Sequence, residues 1–132
     1  MIFVDTSFWV ALRSRRDAHN GDALQLLKAH QHMSLVTTNH VRGETWTFLR
    51  RRAGHGSAVD FLEAVDHSRR LRVVFASEEV EADALRWLRR HDEREFSFVD
   101  ATSFAVMRAL RIREALAFDG GFASAGFQEL RP

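Results

Sequence analysis

The chain has 132 residues and no cysteine. That excludes disulfide scaffolds, zinc–thiolate centres and thiol nucleophiles. Proline is almost missing as well, since Pro132, the last residue, is the only one. No apolar run approaches the roughly 18 residues of a membrane-crossing helix. The start, Met1-Ile2-Phe3-Val4-Asp5, meets an acid too early for the apolar region of a signal peptide. A soluble, cytoplasmic protein with no membrane partner is the expectation. No Gly-x-Gly-x-x-Gly follows the first apolar run, and no Gly-x-x-x-x-Gly-Lys-Ser/Thr occurs, so nucleotide cofactors are set aside. The serine-hydrolase elbow Gly-x-Ser-x-Gly is missing too. Lysine is limited to Lys28, so arginine supplies the rest of the 19 cations. A net charge of +1 does not announce a polyanion binder, but arginine's planar fork suits phosphate.

What is present reads as one globular domain over residues 1–132. Hydrophobic residues are 45% and charged residues 28%, both near the globular average. Short apolar runs alternate with longer helical periods. Ile2-Phe3-Val4, Ser34–Thr37, Leu71–Phe75 and Ala115–Phe118 read as strands, with Phe127–Leu130 as a last edge strand. Thr6 or Ser7 is placed to cap a first helix, Thr38 or Asn39 another ending near Gly54, and Gly56 or Ser57 a further one. Ser77-Glu78-Glu79 opens a helix with acids where its dipole favours them. Strands separated by helices imply crossovers and a mainly parallel sheet, hence an α/β fold.

The placement of certain acids is the informative feature. Asp5 and Asp119 follow strands, and ligands of open α/β sheets bind beyond the carboxyl ends of parallel strands. Asp100 sits before the apolar helix Ala101–Leu110, where an N-cap role competes with a functional one. Glu44 shares the helical stripe Val41–Glu44–Thr45–Phe48, so it is expected on or beside a buried face, where a glutamate needs a partner. Four carboxylates brought together repel one another unless cations or raised pKa values relieve them. Oxygen-only ligation selects hard ions, Mg²⁺ or Mn²⁺, and such ions suit phosphoryl chemistry. The hydroxyl of Thr6 or Ser7 is a candidate contact to a ligand or phosphate.

The blocks Met1–Ser7, Thr37–Glu44, Phe96–Phe104 and Ala117-Phe118-Asp119, in that order, resemble the PIN-domain ribonucleases, and most closely the VapC-type toxins of toxin–antitoxin pairs. The resemblance spans nearly the whole chain. It implies a three-layer α/β/α fold around a five-stranded parallel sheet, and Mg²⁺- or Mn²⁺-dependent endonuclease action on RNA. It also implies a homodimer restrained by a VapB-type antitoxin. The family's acidic positions carry over onto Asp5, Glu44, Asp100 and Asp119 as metal ligands and catalytic groups. One departure stands out: many relatives carry a further acid just after the last of these, where this chain has Gly120-Gly121-Phe122. That puts a second tightly held metal in doubt.

Arg13, Arg15, Arg16 and Arg42 are the first candidates to contact RNA, from the helix after Asp5 and the turn before Glu44. Other arginine clusters fall at helix C-termini, where they complement the dipole. Trp9 and Trp46 are candidates for base stacking or for core and interface packing, whereas Phe3, Phe48, Phe75, Phe98, Phe104 and Phe118 read as core. The seven histidines show no ligand spacing, and His40, one turn before Glu44, is the one to watch. Asp92 reads as a loop or cap residue. Three competing readings remain. One is a PIN-domain RNA-processing nuclease without an antitoxin. Another is a Mg²⁺-dependent small-molecule phosphohydrolase, although Asp5-Thr6-Ser7 lacks the second acid of an Asp-x-Asp nucleophile motif. The third is a binding module without activity, against which the complete acid set argues.

Overall fold

A computed structural model describes all of residues 1–132. The chain runs β1 (Ile2–Val4), α1 (Thr6–Arg13), α2 (Asn20–Ala29), β2 (Leu35–Thr38), α3 (Asn39–Ala53), α4 (His55–His67), β3 (Leu71–Val74). It continues through α5 (Glu78–Arg90), α6 (Phe98–Leu110), β4 (Glu114–Leu116), α7 (Gly121–Ser124) and β5 (Gln128–Glu129). The strands form one sheet in the order β3-β2-β1-β4-β5, and every neighbouring pair is parallel. The expected parallel five-stranded sheet is therefore present.

The connections decide where a site can form. The steps β1 to β2 to β3 run one way across the sheet, so right-handed crossovers put α1–α4 on one face. The step from β3 back to β4 runs the other way and puts α5–α7 on the opposite face. Most packing follows this division, with α1 on α2 and α3, α3 on α4, and α5 on α6, while α3 also meets α6 from the other face. The direction reverses between the neighbours β1 and β4. The chain leaves β1 toward one face and β4 toward the other, which opens a crevice at their carboxyl ends.

Burial on both faces explains the strand sequences. All residues of β1 and β2 are buried. Thr37 is tolerated there because its hydroxyl donates to the Val4 carbonyl at 2.8 Å, which ties the two central strands together. Beneath α6 the aromatic residues form a continuous cluster. Phe104 is fully buried and meets Phe122, Trp87, Phe127 and Phe96 at centroid distances of 4.9, 5.1, 5.5 and 5.8 Å. Edge-to-face packing, the geometry of all these pairs but Phe104–Phe127, adds to the area term.

Several expected boundaries move. Asp5, not Thr6 or Ser7, caps α1, accepting the Ser7 N–H. The short carboxylate reaches back over the first turn better than a hydroxyl one or two residues inside the helix. The fourth strand ends at Leu116, so Asp119 lies in the loop beyond it rather than at the strand's last position. The helix bearing Asp100 begins at Phe98, with Ser97 as its cap. α4 starts at His55, and its N-cap Gly54 has φ +96°, a left-handed geometry that favours glycine. Phe75 lies past the end of β3 and is 65% exposed, and Phe98 is 38% exposed. Both were expected in the core, but each sits at an element's end, where the neighbouring layer no longer covers it. Trp9 is buried edge-on against Phe61 at 5.5 Å, which removes it as a base-stacking surface.

Candidate active site

Four elements deliver the four acids to one cleft of about 630 Å³ at the switch between β1 and β4. Asp5 follows β1, Asp119 follows β4, Glu44 comes from α3 and Asp100 from the first turn of α6. Asp17 joins them from the turn after α1, so five carboxylates and no arginine or lysine line the cleft.

Asp5 is the deepest, at 3% exposure. Its Oδ2 accepts both the Ser7 N–H at 3.1 Å and the Ser7 hydroxyl at 2.7 Å. No hydrogen bond within the chain reaches its Oδ1. Burial pushes its pKa from 3.8 to about 7; the Ser7 hydroxyl opposes that rise, and the charges of Asp119 and Asp100 add to it. Asp100 is raised too, chiefly by burial, with the Ser97 hydrogen bonds opposing and Asp119 and Glu44 adding. Its carboxylate also accepts the Ser97 N–H while Ser97 accepts the Asp100 N–H, a capping box. Capping and cleft lining therefore coexist in Asp100. Asp119 is held by a bond from the Gly121 N–H at 2.9 Å, and the Arg94 guanidinium grips its carbonyl at 2.8 Å.

Glu44, expected on or beside a buried face, lies beside it. It is exposed at the rim of the cleft, while Thr45 is fully buried. Adjacent helical residues differ by about 100° around the axis, so Val41, Thr45 and Leu49 face the core and Glu44 clears its edge. Ser7 is also revised. Its hydroxyl donates to Asp5 and accepts the Phe118 N–H at 3.0 Å, so it staples the end of β1 to the loop bearing Asp119. Thr6 is the opposite case. Its Oγ1 is buried in the cleft wall with no hydrogen-bond partner.

The arginines divide. Arg13 is on the far side of α1, in a separate cavity with Trp9, Leu27 and Phe61, and does not line the acidic cleft. Arg15 is exposed on the turn after α1. Arg16 lies nearby, sharing a hollow with Asp17, Phe48 and Arg52, and Arg51 and Arg52 share another with Glu44. Arg42 lies over the Phe75 ring at 5.4 Å. Sequence reasoning missed Asp17, His19, Arg51, Arg52 and Arg94 as neighbours of the site. Asp17 Oδ1 accepts the His19 N–H at 2.8 Å, an Asx turn that the Asp17-Ala18-His19 spacing could have signalled. The His19 ring stacks flat on Phe118 at 4.4 Å. Asp92 is exposed on its loop and does not line the cleft.

The PIN domain family model matches residues 2–128. The chain is a PIN domain. This PIN domain is 54% identical over 132 residues to the 23S rRNA-specific endonuclease VapC20 of Mycobacterium tuberculosis, covering 100% of this chain and 99% of that protein. It is 30% identical over 125 residues to a VapC ribonuclease of Archaeoglobus fulgidus, covering 91% and 78% of the two chains. The crystal structure of Mycobacterium tuberculosis VapC20, described as a Sarcin-Ricin loop cleaving toxin, matches with a TM-score of 0.93 at 53% identity over 100% of both chains. The PIN domain thus belongs with the VapC proteins, and the fold expected from its four sequence blocks holds along its length. No helix of it is long and apolar enough to cross a membrane.

Proposed function

We propose that this PIN domain hydrolyses RNA phosphodiester bonds with a divalent cation, Mg²⁺ or Mn²⁺, held among Asp5, Glu44, Asp100 and Asp119. The observation that carries this is the convergence of acids from four elements on one cleft without a basic partner. Their mutual repulsion and the burial of Asp5 are what a bound cation would relieve. The donors fit a hard ion: they are all oxygens, and Oδ1 of Asp5 is uncommitted. No three histidine or carboxylate side chains stand close enough together to hold an ion; Mg²⁺ keeps several waters and is bound directly by one or two carboxylates, so the remaining acids would act through those waters. When bound, such an ion lowers the pKa of a water and polarises the phosphate.

The protein's own groups supply placement. Ser7 fixes Asp5 against the Asp119 loop. Arg16, Arg51 and Arg52 flank the acids and are suited to hold the RNA backbone on either side of the scissile bond. Gly120 and Gly121 stand where relatives carry a further acid. A Cβ on Gly120, whose φ is +80°, would meet Arg94 Nη1 at 3.1 Å, and one on Gly121 would meet Asp119 Oδ1 at 3.2 Å. The loop carries no further acid at this point, which puts a second tightly held ion in doubt.

The activities named for the relatives support RNA over small phosphate esters, and a looped segment of ribosomal RNA is the first substrate to try. We further propose, from the resemblance of its sequence blocks to the VapC-type toxins, that the chain is the toxin of a toxin–antitoxin pair, a cytoplasmic homodimer restrained by a VapB-type antitoxin. Incubation of the purified protein with such an RNA is expected to give discrete cleavage in Mg²⁺ or Mn²⁺ and none in excess chelator. Cleavage indifferent to chelator would contradict the cation's role. Turnover of p-nitrophenyl phosphate with RNA left intact would favour the small-phosphate reading.

A further inference from the structure

Two exposed phenylalanines stand by the first turn of α3, outside the lining of the acidic cleft. Phe98 is the first residue of α6, two before Asp100. Its ring meets His40 edge-on at 5.5 Å, and His40 precedes Glu44 by one turn of α3. Phe75 leaves β3 at the same carboxyl edge of the sheet, with the Arg42 guanidinium over its ring. The segment after Phe75 is pinned, because Asn39 Oδ1 accepts the Ala76 N–H at 3.0 Å. The two rings therefore bracket the first turn of α3 and are fixed to the elements that carry Glu44 and Asp100.

A lone exposed apolar residue needs no explanation. These two flank the first turn of α3, are held by polar neighbours rather than by core packing, and lie outside the lining of the proposed site, Phe98 two residues before Asp100. Arg42 adds a cation to one of them, complementary to a phosphate backbone. Aromatic faces presented beside cations are the means by which proteins hold unpaired bases, since every base has a π-face.

We propose that Phe75 and Phe98 are base-stacking residues, which hold unpaired nucleobases of an RNA loop on the Glu44–Asp100 side of the cleft, with Arg42 contacting the adjoining phosphate. The assignment rests on the ribonuclease reading and deepens it by naming side chains outside the acidic cleft that would hold the bases of the looped substrate.

The test is steady-state cleavage of a loop-containing RNA in Mn²⁺, with 2-aminopurine in the loop as a stacking probe. Phe75→Ala and Phe98→Ala are each expected to raise KM by at least about fivefold, the lower end for loss of one base–aromatic stack, with kcat within about twofold. Phe75→Leu keeps apolar bulk without a π-face and should behave like the alanine variant, while Phe75→Trp should restore KM. Quenching of 2-aminopurine by the natural protein should be lost in Phe75→Ala. Natural KM in both alanine variants, or rescue by leucine, would overturn the assignment. It would also fall if Phe75→Ala changed the mass by light scattering and left KM unaltered, because the patch would then be a protein interface. If the natural protein cleaved no RNA, the ribonuclease reading would fail. Quenching that depends on Phe75 would in that case still support stacking, and its absence would overturn it.

Discussion

Replacing Asp5 with asparagine is expected to make the protein more stable at pH 8 in the presence of chelator, with a rise in melting temperature on the order of 10 °C. The carboxyl is buried and its pKa is raised from 3.8 to about 7, so the folded state holds a proton across a range where the unfolded chain has released it. Stability therefore falls as pH rises from about 4 to about 7 and stays low above that. At about 1.4 kcal/mol per tenfold, the gap comes to about 4 kcal/mol of destabilisation at pH 8. Asparagine is nearly isosteric, keeps an oxygen for the Ser7 bonds and caps a helix as well as aspartate, but it carries no charge to bury. A melting curve against pH should fall for the natural protein between pH 4 and 7 and run flatter for Asp5→Asn. Parallel curves would mean that the buried charge is not the source of the strain.

Phe104→Ala is expected to cost about 3–5 kcal/mol, a large share of the 5–15 kcal/mol that holds a typical domain together. The side chain is fully buried and contacts four other rings from α5, α7 and the segments beside them. Those neighbours come from different parts of the chain, so they cannot all collapse into the space left behind. Phe104 stands about one turn from Asp100 on α6, and the packing of that helix places the carboxylate. Urea denaturation should show the midpoint falling sharply with little change in slope. A loss below about 1 kcal/mol would show that the site can relax in a way the packing does not suggest.

The acids were legible because they interrupt apolar runs, and the alternation of strand and helix placed Asp5 and Asp119 at one sheet edge. Glu44 was found by its period, which placed it on or beside a buried face without deciding between the two, since a stripe of four positions does not say where its edge falls. The arginines near Asp5 were harder. Arg13 lies four residues after Trp9 and shares its face, whereas Thr6 and Val10 share the face that turns to the cleft. That division is readable only once one face is known to be the site. The Ser7 staple joins residues 111 apart in sequence, and no local pattern announces such a bond. Phe75 and Phe98 have core-like composition, and only the tertiary arrangement shows that no layer covers them. The likeness to a known family supplied what spacing could not: that four short blocks in this order belong to a nuclease.

The most direct test of the account is the rate of RNA cleavage in Mn²⁺ at pH 8 by Asp5→Asn beside the natural protein. An ion held there supplies several kcal/mol of transition-state stabilisation, so removing its deepest ligand should slow cleavage on the order of a thousandfold, in a variant that is folded and, in chelator, more stable than its parent. A rate within about tenfold of the natural protein would contradict the placement of the reaction at these four carboxylates.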